Sequence, residues 1–185
     1  VPVTPTLRLE RRCWKAGERV VVGIDEVGRG AWAGPVTVGA VVPAPEHLRG
    51  VRDSKMLTRP ERERAAAAVR AWALGVGIGH ASHDECDELG MTAALRLAAQ
   101  RALAELSAQG YEPDRVILDG NHDYLRLGER CTTVVKGDAS VLAVAAASCV
   151  AKVTRDAIMI DEAQHYPPYD FESNVGYPAP LHKHA

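Results

Sequence analysis

What this chain lacks narrows it first. No segment is apolar for long enough to span a bilayer, and no charged start leads into an apolar stretch of the secretory kind. The four cysteines, Cys13, Cys86, Cys131 and Cys149, are scattered with no C-x-x-C pair among them, which suits reduced thiols, so the expected location is the cytoplasm. There is no excess of positive charge either. A formal net charge of -2 argues against holding nucleic acid by bulk charge, though a local basic groove beside acidic groups is compatible with it. With 46% hydrophobic and 25% charged content over 185 residues, nothing suggests disorder, and a single compact domain is expected.

The most informative stretch is Val20 to Gly34, VVVGIDEVGRGAWAG. Val20, Val21, Val22 and Ile24 read as a buried strand that carries two adjacent acids, Asp25 and Glu26, into the turn Gly28-Arg29-Gly30. Side chains alternate across a strand, so the two acids should diverge unless the chain bends at the glycines. Polar punctuation at a strand end would explain the acids equally well. Gly28 to Ala33 also matches the G-x-G-x-x-A form of a dinucleotide-binding turn, but such a turn must open a helix. Pro35 is followed instead by the β-branched run VTVGAVV, giving strand, turn, strand. What the glycines offer is backbone that a sugar or phosphate can approach closely.

Residues 1 to 19 read as a short helix or arm, and a loop then leads from the second strand to Asp53-Ser54-Lys55. Thr58 or its neighbours cap an alanine-rich helix that begins with Pro60 and Glu61 and ends near Gly75. GVGIGHAS is a third strand whose glycines let it lie close to a neighbour. His80, His83 and Cys86 are spaced like metal ligands, yet no fourth partner is near and Ser82-His83-Asp84 looks like a helix start, so zinc is set aside. One helix is expected from Asp84 to Gln109, stopped by Gly110. Arg115 to Leu118 is a short buried strand ending in Asp119-Gly120-Asn121, again an acid at the end of an apolar run. After a strand CTTVV, Asp138 of Lys136-Gly137-Asp138 is the expected N-cap of a long helix running to Gln164. On that helix Ser148, Lys152 and Asp156 follow at steps of four, which alone reads as a solvent-facing stripe. The tail, rich in proline and tyrosine, reads as an ordered binding loop more than a packed element.

In order and spacing these motifs resemble bacterial ribonuclease HII, the type 2 ribonuclease H family. The matching pieces are DEVGRG at Asp25 to Gly30, AGP at Ala33 to Pro35, DSK at Asp53 to Lys55, LDG at Leu118 to Gly120, KGD at Lys136 to Asp138, and AAASCVAKVTRD ending at Asp156. Tyr169, Phe171, Gly176, Tyr177 and His182 are similar to the family's C-terminal substrate-contact segment. Two departures stand out: Val175 replaces the lysine usual before the Gly-Tyr pair, and the family's further C-terminal residues are not in this sequence.

The resemblance implies an α/β ribonuclease H-like fold: one domain over residues 1 to 185, a mixed five-stranded sheet flanked by helices, an arm at 1 to 19 and a shortened substrate-contact segment at 166 to 185. It implies that Asp25, Glu26, Asp119 and Asp156 are catalytic and hold two divalent cations, Mg2+ or Mn2+. Two carboxylates about 4 Å apart repel by roughly 4 kcal/mol at an effective dielectric of 20, so such a cluster needs cations. It also implies an endoribonuclease acting on RNA-DNA hybrids and on single ribonucleotides in duplex DNA, working as a monomer. Gly28, Arg29, Gly30 and Tyr177 would contact substrate, with Lys55, Lys136, Ser148 and Lys152 as further candidates. A catalytically silent nucleic-acid binding domain of the same fold is the alternative.

Overall fold

The computed structural model describes residues 4 to 184. In chain order the elements are α1 (Arg8–Lys15), β1 (Val21–Val27), β2 (Val36–Val42), α2 (Arg59–Trp72), β3 (Gly75–Ala81), α3 (His83–Leu89), α4 (Met91–Ala108), β4 (Arg115–Asp119), β5 (Cys131–Val134), α5 (Gly137–Ser140), α6 (Leu142–Glu162), α7 (Phe171–Asn174) and α8 (Pro180–His184). The sheet runs β3-β2-β1-β4-β5, with β2 antiparallel to both β1 and β3, and β4 and β5 parallel to β1. This is the mixed five-stranded sheet expected.

Helices cover both faces, and the sequence shows why they come so close. α6 lies over β1 and β2 with its alanine face down; any Cβ at Gly23 would collide with Ala143, so the strand must be bare there. On the other face Gly79 of β3 does the same under Ala98 of α4. Small residues on both partners let backbones approach and extend dispersion contact along the whole interface. The pleat divides β1 accordingly: Val22 and Ile24 pack with Ala98 and Leu106 on the α4 side, and Val21 packs with Ile117 and Val144 on the α6 side.

Three expectations need correction. The helix expected from Asp84 to Gln109 is two, because Gly90 takes φ +76 and ends α3 before α4 begins. Asp138 is not the cap of the long helix: it sits inside the separate turn α5, and the chain is extended at Val141 before α6 starts. The N-terminus of α6 is capped from far away in sequence, by the buried Glu10 of α1, whose Oε1 accepts from the Ala143 N–H at 2.8 Å. The tail, finally, is packed: Phe171 and Val175 are buried with Met159, and His182 makes edge contacts with Tyr169 and Phe171.

Candidate active site

β1 stays paired with β2 through Val27–Thr37, so the chain does not bend at the acids. The pleat therefore sends Asp25 to the α6 side, with Val21 and Gly23, and Glu26 to the opposite side. β4 runs parallel to β1, and one step past the last registered pair, Ile24–Leu118, it delivers Asp119 beside Asp25. Asp119 is held by the Gly137 N–H, which donates to its Oδ1 at 2.6 Å. This explains why the K-G-D motif follows β5: its glycine amide fixes an acid of the neighbouring strand.

Asp25 is buried, and burial, with Glu26 and Asp119 adding repulsion, pushes its carboxyl well above the ordinary range. A hydrogen bond from Ser148 works in the opposite direction. Ser148 is itself buried and lies 3.0 Å from the hydroxyl of Ser54, so the D-S-K motif reaches Asp25 through two hydroxyls. Glu26 is also raised, mainly by burial, with Arg29 at 3.7 Å opposing. Its Oε2 is buried with no hydrogen-bond partner among the described residues. Asp138, which had been read as a cap, joins this group. It is buried, raised first by burial and then by Asp53 and Asp119, and its Oδ2 faces Lys55 at 3.9 Å. The Lys55 ammonium loses some stability by burial but is raised overall by Asp138, Asp53, Asp25 and Asp119.

The stripe Ser148, Lys152, Asp156 is not a solvent face: Ser148 is 5% exposed and Asp156 6%. Asp156 accepts from Lys152 Nζ at 2.7 Å and lies 3.9 Å from Arg62. Burial outweighs that pairing at Lys152 and lowers its pKa. Asp156 thus lies among cations, whereas Asp25 feels the charges of Glu26 and Asp119. In this arrangement no group of three or more acid, histidine or cysteine side chains among the described residues is gathered tightly enough to hold an ion. Lys136 is exposed, in a left-handed conformation, and contributes through its backbone, accepting from Ser140 Oγ.

One functional residue escaped sequence reading. Arg155 is wholly buried, and its guanidinium donates to three carbonyls: Pro35 at 2.8 Å, Val175 at 2.8 Å and Ala33 at 2.9 Å. It lies 5.3 Å from the centre of the Tyr177 ring, while the Tyr177 hydroxyl accepts from the Gly28 N–H at 3.3 Å. Arg155 therefore ties the glycine turn and the tail to the helix that carries Asp156. Gly28, at φ +97, lets the turn pass over it; a Cβ there would fall 2.5 Å from Arg155 Nε. Its sequence signal was weak, one more charged residue between Lys152 and Asp156 on a helix rich in alanine and valine. Val175 is buried at φ +45, bordering a cavity of about 610 Å3 whose wall mixes Arg59, Arg62 and Lys152 with Asp156 and Glu172.

The Ribonuclease HII family profile matches residues 22 to 185. This chain belongs to the ribonuclease HII family. It is 49% identical over 191 residues to Ribonuclease HII of Streptomyces avermitilis, covering 100% of this chain and 79% of that protein. Ribonuclease HII of a Synechococcus strain is 47% identical over 185 residues, covering 98% of this chain and 81% of the relative. Among solved structures, the complex of PCNA and RNase HII from Archaeoglobus fulgidus matches with a TM-score of 0.74 at 27% identity, over 90% of this chain and 86% of that one. Ribonuclease H2 from Pyrococcus horikoshii matches with a TM-score of 0.73 at 28% identity, over 90% of this chain and 84% of that one. With that membership come the ribonuclease H fold and ribonuclease H endonuclease activity. No described helix is long and apolar enough to cross a membrane.

Proposed function

We propose that this ribonuclease cuts the RNA strand of RNA-DNA hybrids and also cuts at single ribonucleotides embedded in duplex DNA, serving their removal and leaving 3′-hydroxyl and 5′-phosphate ends. One observation carries the reading: the ends of β1 and β4 bring Asp25 and Asp119 side by side with Glu26 next in the chain, close enough that both neighbours raise the buried Asp25, and Asp156 stands on the helix packed against these strands.

The donor set fits hard divalent cations. All four groups offer carboxylate oxygen, Glu26 Oε2 has no partner among the described residues, and the repulsion on Asp25 is the kind a cation relieves. Asp25, Glu26, Asp119 and Asp156 would hold two ions, Mg2+ or Mn2+. When bound, such ions supply a nucleophilic water at neutral pH and charge stabilisation for an in-line phosphodiester displacement.

The protein's own groups do the remaining work. Beside Asp25 and Glu26, Arg29 and Gly30 are exposed while Gly28 is buried with its N–H donated to Tyr177, so the exposed backbone of the turn can read the 2′-hydroxyl that separates RNA from DNA. Tyr177, anchored to that turn through Gly28, presents a ring to the neighbouring sugar. Lys55 and Lys152 sit on either side of the acids, suited to phosphate contact, and Ser148 orients Asp25. Lys152 also holds Asp156 until a stronger cation competes for it. A labelled duplex with one ribonucleotide, incubated with and without magnesium, tests the reading. Cleavage on the 5′ side of the ribonucleotide only in the presence of metal is expected; no cleavage under either condition, or equal cleavage with a chelator, would overturn it.

A further inference from the structure

The fold segregates charge in a way the acid site does not use. α1 carries Arg8, Arg11, Arg12 and Lys15 at helical spacing, so all four fall on one face, while Leu7, Glu10 and Cys13 fill the other and are buried. The four cations are exposed, and none forms an ion pair among the described residues. With His47 they line a concavity of about 630 Å3 that has no acid in its wall. In a chain whose net charge is -2, such a surface is a local exception.

The face is rigidly placed with respect to the acids. Glu10 of α1 caps α6 at Ala143, and Thr6 pairs with Val141, so α1 is anchored to the helix bearing Asp156. Asp156 lies roughly 20 Å further along α6 at 1.5 Å per residue. Between the two sites the chain adds more positive charge. A second concavity, of about 520 Å3, is lined by Arg49, Arg52 and Arg64 with Glu61, and it shares the loop that runs on to Asp53 and Lys55 at the acid cluster. Cationic side chains therefore recur along the loop from Lys55 through Arg52 and Arg49 towards α1, with Lys55 and Arg52 each 3.9 Å from an acid, Asp138 and Glu61.

We infer that the basic face of α1 is a second contact for duplex nucleic acid, gripping the phosphate backbone of the same substrate at a distance from the cut. This rests on the proposed function, because it takes the duplex in the cleft as the molecule that continues onto α1. A duplex is the occupant these features favour: the face is cationic, the loop between it and the acids carries further cations, and its spacing from the acids suits a rod and not a small anion. Four phosphate contacts would steepen the salt dependence of affinity by about 3 to 4 in log-log slope, about 0.9 for each contact.

The test replaces Arg8, Arg11, Arg12 and Lys15 together by glutamine in the full chain. All four are exposed, so an unchanged melting temperature is expected, and the pair Arg11→Gln with Arg12→Gln serves as a milder variant with about half the effect on the salt slope. Cleavage is compared on duplexes of about 10 and about 30 base pairs with a central ribonucleotide, whose arms reach roughly 17 Å and roughly 51 Å at 3.4 Å per step. On the long duplex KM should rise tenfold or more at low salt with kcat unchanged, and the salt slope should flatten; on the short one KM should not move. Equal effects on both lengths, or none on the long one, would overturn the inference and leave the face to a partner of another kind. Fluorescence anisotropy with the same duplexes is the separate arm. If the wild-type chain fails to cleave, the proposed function fails, while length-dependent binding lost in the variant would still support the α1 contact and its absence would refute it.

Discussion

Replacing Arg155 by methionine should both unfold the protein more easily and disorder the glycine turn proposed to read the ribonucleotide. The side chain is 0% exposed and its guanidinium donates to the carbonyls of Pro35, Val175 and Ala33. Hydrogen bonds to a charged group contribute about 1.5 to 3 kcal/mol each, and a buried acceptor left without a partner costs about 1 to 3 kcal/mol. Three such losses would sum to several kcal/mol. Against them stands the relief of removing a buried charge that has no carboxylate bonded to it, which is worth several kcal/mol in the other direction. Methionine fills most of the volume, so the cavity penalty is small. The net expectation is a loss of about 3 kcal/mol, or roughly 6 to 12 °C in Tm for a domain of this size. Arg155→Lys keeps the charge but can reach only some of the three carbonyls, so it should lie between wild type and the methionine variant. Urea unfolding followed at constant m-value measures the loss. Cleavage assayed well below the variant's Tm measures the second effect, because Arg155 also holds Tyr177 and the Gly28 turn in place. A loss below about 1 kcal/mol would mean that the three bonds are balanced by desolvation. Undiminished cleavage of a single embedded ribonucleotide would show that the turn does not depend on Arg155.

Three further outcomes are expected. Asp25→Asn should abolish metal-dependent cleavage and the rise in Tm on adding magnesium, yet melt no lower than wild type in chelator, since it removes one charge from a repelling group; wild-type turnover would sink the assignment. Tyr177→Ala should lower cleavage at a single ribonucleotide more than on a continuous hybrid, and Tyr177→Phe, which loses only the contact with the Gly28 N–H, should fall between; equal losses on both substrates would remove Tyr177 from junction recognition. Glu10 has a folded-state pKa raised chiefly by burial, so its contribution is fully present below its unfolded value of about 4.3 and is lost as pH rises through the raised one. Glu10→Gln keeps an acceptor for the Ala143 N–H without the charge, so its Tm should match wild type at low pH and exceed it increasingly towards pH 8; a constant gap across that range would contradict the assignment. Glu10→Ala, which leaves the amide uncapped, should cost about 1 kcal/mol at low pH and less as pH rises and wild type loses the contribution of Glu10.

Much of this molecule is legible from local pattern. The β-branched runs at Val20, Val36 and Arg115 mark strands because branched side chains pack well on a pleated surface, and Gly75 to Gly79 reads as a strand pressed against a neighbour, which α4 proves to be. Acids closing β1 and β4 are visible in sequence, as is the resemblance that pairs them. What local pattern could not determine was which faces the long helix turns inward. Ser148 and Asp156 look solvent-facing by composition, yet both are buried, since their environment is made by Ser54, Arg62 and Asp25 from other segments. The same holds for the helix start. Asp138 has the local chemistry of a cap, but Glu10 takes the α6 amide from 133 residues away and leaves Asp138 free to face Lys55. Gly90 could be read as a tolerated glycine within one helix, yet it takes a positive φ that divides α3 from α4. Arg155 was the least legible of all, because its three acceptors are main-chain carbonyls, which have no residue identity to recognise in a sequence and become partners only when the glycine turn and the tail converge on α6.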